Sequence, residues 1–586
     1  MNFTIPRPNS HKQRTPAGEV SEQMERLDRG LSILLEHARR LRSCRNALSP
    51  TCRLPPEVLS TIFMWIPSWS FNDFESPSVK DWFRVTHVCR HWRAVALGCA
   101  TLWNRVDVMC TAWAPEMVLR SKSASLSVRA KVYYPKDQTL LVTKSVLSQI
   151  SRIQDLHLGA DGRSFNNLLN NIVAEAPRLH SLVLSNSHWR AHLDELCLPF
   201  AFLCGGAPRL KRLELRKFSV SWECPLFLTS HKVTTFFMEG LERNKPNMSQ
   251  LLAVLENMPL LETLHLEGVV PNPKSCAAPQ RVVCLDHLRT LHLSSELLEC
   301  ANLLQQISIP QTTRMSLMSH AADKLEDVSL LVSAITTARG KMPFHAFSFQ
   351  FNPAGVCLRS GQEMGSLENC KDDELHRNAD LSLVFSTTVL DQMFLSEALH
   401  ILFQGLPLAF SAVKAFLAHD YEGLMVAEVW TDILRRMPNI RTLHACHDAA
   451  LHLPSALAAG NASHGDSHSP EELVPQLETV VLHAVDTNWS VNSIPYLHLL
   501  QDSQITRCNR DIPIAELRIS RCLNIGKKEI RTLCHLFTEV DWDGFEVYVR
   551  GTSVANSGSS ESEIEEYSHD EWNGYEGLEG LGWWNT

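Results

Sequence analysis

Residues 176–184 read APRLHSLVL, and the pattern they carry returns at Ala207–Leu215 (APRLKRLEL), Met258–Leu266 (MPLLETLHL), Met437–Ala445 (MPNIRTLHA) and Val474–Leu482 (VPQLETVVL). In every copy a proline lies two residues before an apolar residue, and further apolar residues follow three and five positions later. Proline ends a preceding helix, and the later pair has the alternation of a short strand whose inward side chains build a continuous core. Copies without the proline occur at Ile153/Leu156/Leu158, Leu288/Leu291/Leu293 and Ile514/Leu517/Ile519. Upstream runs such as Phe165/Leu168/Leu169/Ile172/Val173 and Leu251/Leu252/Leu255/Met258 have helical spacing.

The leading positions Ile153, Leu179, Leu210, Val233, Leu261 and Leu288 are 23 to 31 residues apart. That spacing resembles a leucine-rich repeat, slightly long and irregular. The asparagine or cysteine that the family places after the last strand leucine is mostly absent, and only Cys522 fits it. The resemblance implies an irregular solenoid of strand-helix repeats over residues 109–550, least regular between about 320 and 430. Within a copy, Leu182 and Leu264 are expected to point inward, and Val183 and His265 outward. Gly355–Asp380 and His447–Glu472 carry Gly, Ser, Asp and His without periodicity and read as loops.

Ahead of the repeats, Pro55 and Pro56 in LSPTCRLPPEVLSTIF can open a helix, because its first turn needs no amide donors. Val58, Leu59, Ile62 and Phe63 then make an apolar stripe that Pro67 ends. A second helical pattern, WFRVTHVCRHWRAVALGCATLWNRV, supplies Val88, Cys89 and Trp92, and Leu102-Trp103 close the unit. Together these residues, over 49–108, resemble the F-box, in the F-box-like variant abundant in mushroom-forming fungi. The resemblance implies that Leu54, Pro55, Val58, Leu59, Ile62, Phe63, Val88, Cys89, Trp92, Leu102 and Trp103 bind a Skp-family adaptor, which bridges to a cullin-RING ubiquitin ligase. The chain would then be a non-catalytic subunit that selects a protein substrate. The alternative is that these helices only cap the repeat array of an interaction scaffold.

Met24, Leu27, Leu31, Leu34, Ala38 and Leu41 recur at steps of three and four, so residues 21–48 read as an amphipathic helix, expected to pack on the next domain. Residues 1–20 and the acidic, serine- and glycine-rich stretch 551–586 read as disordered. Eight of the acids lie after Arg550, where no Lys or Arg occurs, so a net charge of -9 leaves a nearly neutral body. Neither the body nor the tail offers the basic field that nucleic acid requires. The 17 cysteines are scattered with no CxxC pair, which fits reduced thiols in the cytoplasm or nucleus.

No secretory signal or membrane span is legible in the sequence, and no phosphate loop, zinc helix or nucleophile elbow occurs. No cofactor is expected. His444, Cys446 and His447, with His464 and His468, are the densest set of potential metal ligands, but their spacing matches no zinc pattern.

Overall fold

The computed structural model describes residues 17–65, 82–132, 137–170, 172–186, 197–240, 245–272, 281–319, 324–339, 344–352, 355–362, 379–386, 392–406, 409–459 and 472–549. The acidic C-terminal stretch, His464, His468 and Pro67 lie outside them. The chain divides into two compact units, residues 1–158 and 159–586.

In the first unit, helix α1 (Ala17–Ala47) precedes α2 (Pro56–Met64) and α3 (Arg90–Gly98). Strand β1 (Arg105–Asp107) pairs in parallel with β2 (Leu126–Val132), and the connection between them carries α4 (Ala114–Arg120). Helix α5 (Asp137–Leu147) leads to β3 (Ile153–Ala160). The seam of α1 departs from expectation: among the described residues it lies exposed, with Leu31 58% and Leu41 72% accessible.

The second unit is a mostly parallel sheet in which the repeat copies supply most of the strands. Strands β4 (Ser181–Asn186), β5 (Arg212–Arg216), β6 (Thr235–Glu239), β7 (Thr263–Glu267), β8 (Thr290–Ser294) and β9 (Arg314–Ser319) pair in chain order. Two apolar rows cross them in register. One runs Leu182, Leu213, Phe236, Leu264, Leu291 and Met315. The other runs Leu184, Leu215, Met238, Leu266, Leu293 and Leu317, and all twelve side chains are buried.

Each proline has a more specific role than stopping a helix. Leu179, Leu210, Leu261, Ile440 and Leu477 each donate a backbone N–H to the carbonyl three residues back, at 3.0 to 3.3 Å. The proline is therefore the second residue of a tight turn, where its fixed φ is already correct. The turn swings the chain into the strand and delivers the leading residue to the core.

Helices return the chain where the sequence has a helical face, as parallel pairing requires. They include α6 (Gly162–Leu169) and α8 (Met248–Glu256), with the short α7 (Pro225–Leu228) between them. Helix α8 starts on a capping box: Asn247 Oδ1 accepts from Gln250 N at 2.8 Å, and Gln250 Oε1 accepts from Asn247 N at 3.1 Å.

The order changes after β9. Helices α9 (Leu297–Gln305) and α10 (Leu325–Arg339) precede β10 (Ala346–Asn352), which does not pair with β9. Strand β11 (Gly355–Gly361) runs back antiparallel beside β10, and β12 (Leu381–Phe385) takes the place next to β9. After helix α11 (Gln392–Gly405), β13 (Ala415–Asp420) pairs with β10. The sheet therefore runs β9, β12, β11, β10, β13, with β11 antiparallel to both neighbours.

Gly355–Gly361 was expected to be a loop and is a strand instead. All seven of its residues are buried, so both faces are covered and the apolar/polar alternation that marks a strand is missing. Gly355, at φ +146°, admits no side chain, because a Cβ there would lie 1.9 Å from the Phe385 carbonyl oxygen.

Chain order then resumes with β14 (Thr442–His447), β15 (Thr479–His483), β16 (Glu516–Ser520) and β17 (Glu539–Trp542). Helices α12 (Ala427–Arg436), α13 (Leu453–Ala459), α14 (Tyr496–Asn509) and α15 (Lys527–Leu533) connect them. Helix α13 corrects the second loop expectation, since Leu453, Ala456 and Leu457 are buried. The array is leucine-rich-repeat-like, with one reversed insertion in its middle.

Candidate functional site

Helix α2 begins with Pro56 in its first turn and Glu57 beside it, as the sequence implies. Its four apolar side chains divide into two pairs. Leu59 and Phe63 are 0% and 1% exposed, within a core formed with Val85, Val95 and Ala96. Leu54, Trp92 and Leu102 pack against that core, and the Phe63 and Trp92 rings lie 5.1 Å apart. Val58 and Ile62, one residue earlier and so about 100° round the helix, are each 43% exposed.

Cys89 caps α3, its Sγ accepting from Trp92 N at 3.4 Å. The same sulfur lies 3.8 Å from Cys52 Sγ, and His91 Nε2 lies 3.3 Å from the Leu54 carbonyl oxygen. These contacts hold α3 to the start of α2. Burial and the neighbouring Cys89 raise the Cys52 thiol above its ordinary pKa.

Trp103 is 1% exposed, and its Nε1 donates to the Ala96 carbonyl at 2.8 Å. Arg120, on α4, lies over its ring at 4.4 Å, and the Phe83 ring makes tilted contacts with both Trp103 and Trp113. Trp103 thus joins the helix pair to the β1-α4-β2 unit that follows it.

Leu59, Phe63 and Trp103 therefore point into the unit's own core. Pro55, Val58, Ile62 and Val88 remain exposed, the last at 53%. Two neighbours that the sequence reading did not single out join them: Met64 at 47% and Trp65 at 82%. The signal for them was present, because both continue the apolar run of α2 beyond what a nine-residue helix can bury on one side.

A second surface, missed in the sequence, is the row between the two apolar rows of the array. Strand register aligns Glu214, Phe237, His265, His292 and Ser316. Arg216 lies over the Phe237 ring at 4.3 Å, and Phe237/His265 and His265/His292 each stack with centroids 4.0 Å apart. His292 Nδ1 then lies 3.0 Å from Ser316 Oγ. The residue flanked by the two strand apolar positions in successive copies was the available signal.

At the β4 end the row is closed. Val183, expected to face solvent, is 4% exposed, and its register partner Glu214 is 5% exposed and ion-paired to Arg212 and Arg216.

Of the potential metal ligands, His444, Cys446 and His447 lie along β14, with Cys446 buried. Among the described residues, no three such side chains are grouped so as to hold a metal. Burial lowers the pKa of His447 to about 4 and that of His419, on the adjacent strand β13, to about 3. Among the described residues no helix is long and apolar enough to cross a membrane.

Residues 51–109 match the family model described as F-box-like. No curated protein matches the chain. An LRR protein from Leptospira interrogans aligns with 76% of this chain and 91% of its own, at 12% identity and a TM-score of 0.22, a superposition too loose to bear on the fold. With helices α2 and α3 inside the matched segment and the proline-turn strands following it in sequence, the chain carries an F-box-like segment followed by a leucine-rich-repeat-like array.

Proposed function

We propose that this chain is the non-catalytic substrate-recognition subunit of a Skp-cullin-F-box ubiquitin ligase. Val58 and Ile62, with Pro55 and Val88, dock on a Skp-family adaptor, and the array holds a protein substrate. The observation that carries this reading is the division of α2, in a segment that matches the F-box-like model. Leu59 and Phe63 fill the core, while Val58 and Ile62 stay in solvent although nothing in the fold requires apolar residues there. Leu54, Cys89, Trp92 and Leu102 set the positions of the exposed side chains, and Leu59, Phe63 and Trp103 hold the unit together.

Substituting Val58→Glu with Ile62→Glu leaves the fold intact and weakens adaptor binding by at least about 30-fold, because central apolar anchors are worth about 2 kcal/mol or more. Leu59→Ala gives a different outcome: it opens a cavity, costs about 2 to 5 kcal/mol, and lowers binding only through unfolding. Calorimetric titration with the purified adaptor, beside a thermal melt, separates the two. A folded double variant that still binds the adaptor ends the assignment.

The contacts of Trp103 favour a second role for the same segment. By joining the helix pair to the β1-α4-β2 unit, it also supports a scaffold in which these helices close off the repeats. That reading predicts no adaptor binding by the wild-type chain. On either reading, the Phe237-His265-His292 row is the surface offered to a protein partner.

A further inference from the structure

Helix α1 carries an apolar seam that is exposed among the described residues. Val20, Met24, Leu27, Leu31, Leu34 and Leu41 follow heptad spacing over three turns of the repeat, and their exposures run from 41% to 72%. Scattered surface leucines need no explanation, but a continuous seam along one helix does.

The charges on α1 indicate what covers it. Residues 17–30 hold Glu19, Glu22, Glu25 and Asp28 against two arginines, whereas residues 31–47 hold Glu36 against Arg39, Arg40, Arg42 and Arg45. One half is net negative and the other net positive. A second copy laid parallel would set like against like; laid antiparallel, it sets each acidic half along a basic half, and opposed helix dipoles add to the attraction. Glu22, Glu25 and Glu36 are already engaged within the helix by Arg26, Arg29, Arg39 and Arg40. Asp28 and Arg42 form no ion pair among the described residues. Both flank the seam on the same side, in the heptad positions that face each other across an antiparallel pair.

We propose that α1 is an antiparallel coiled-coil dimerisation helix whose partner is a second copy of this chain. A two-fold axis at Leu35, itself 49% exposed, brings Leu35 against its counterpart and Asp28 opposite Arg42 of the second copy at both ends. The dimer displays two F-box-like segments and two arrays.

Sedimentation equilibrium of the full chain tests this. The wild type runs as a dimer, and Leu31→Glu with Leu34→Glu makes it a monomer with unchanged melting, because neither side chain supports the fold. Asp28→Arg alone and Arg42→Asp alone each weaken the dimer by roughly fivefold, the scale of two exposed charge pairs reversed together, and the combined swap restores wild-type affinity. Val58→Glu with Ile62→Glu leaves the dimer unchanged, so this test is separate from that of adaptor binding. A monomeric wild type, or a dimer indifferent to the seam substitutions, overturns the proposal. Charge changes that add instead of cancelling exclude the antiparallel arrangement.

Discussion

Strands β4 to β9 and strands β9 to β13 occupy similar lengths of chain and are built differently. In the first stretch, chain order equals sheet order, and turns closing three residues back lead into β5, β6, β7 and β8. In the second, two strands exchange places around an antiparallel one, and none of β10, β11 and β12 carries the proline template. The lesson concerns what fixes neighbours in a repeat array. A leucine pair makes a strand anywhere, but the tight turn before it sets how far the chain has travelled when the strand begins. Without that turn, the apolar rows remain and the order is lost.

The packing differs too. The regular stretch fills its two strand rows mostly with leucine, nine of the twelve positions, one layer per repeat. The reversed stretch uses aromatic residues: Phe347 lies within 6.0 Å of the rings of Phe344, Phe403, Phe410 and Phe416. Phe347→Ala is therefore expected to cost about 3 to 5 kcal/mol in denaturant unfolding, more than Leu264→Ala, which empties one layer of the regular stretch. Equal costs would mean that the two cores pack alike and would erase the distinction.

Acid sharpens the comparison from the far side of the insertion. Burial, with His444, His447, His483 and Arg359 around it, holds His419 neutral down to about pH 3, and burial with His483 holds His447 neutral to about 4. In the unfolded chain both titrate near 6.5, so the unfolded state takes up protons first on acidification. The stability these two groups protect is complete above pH 6.5. It falls by about 1.4 kcal/mol per pH unit per group as the pH drops toward 4. Thermal melts at pH 7 and 5 should separate by several degrees, and His419→Gln should narrow the gap. A gap that the substitution leaves unchanged would assign the acid sensitivity elsewhere.

The smallest effect lies within the regular stretch. Val183→Ser is expected to cost about 2 kcal/mol, because the front of β4 is buried, while His265→Ser costs about 1 kcal/mol, the loss of two half-exposed ring stacks. Equal tolerance in urea titrations would restore a fully open front face.

Much of this architecture was legible in the sequence. Five proline-led copies located their strands, and the PPEVLSTIF run located α2. What stayed hidden has a common cause: a pattern reports which residues are apolar and leaves open which of them are covered. Val58, Leu59, Ile62 and Phe63 form one stripe in sequence and two environments in the fold. The seam of α1 has the spacing of a packed helix and lies in solvent. GVCLRSG has no alternation because both its faces are covered. The stacked Phe237-His265-His292 row was hidden differently, since its residues are separated by more than twenty positions and meet only once register is fixed.

The exchanged strands also bear on how the molecule assembles. In an ordinary repeat array each strand finds its neighbour in the next copy along the chain, so ordering spreads outward from any starting point with little loop entropy to overcome. Here β13 cannot pair until β10 is in place, and β12 must return past two strands to reach β9. Ordering that spreads from either end stops at this point until the three-strand insertion closes as one event. The array therefore folds as two nearest-neighbour segments joined by a single nonlocal step, and that step sets the overall rate.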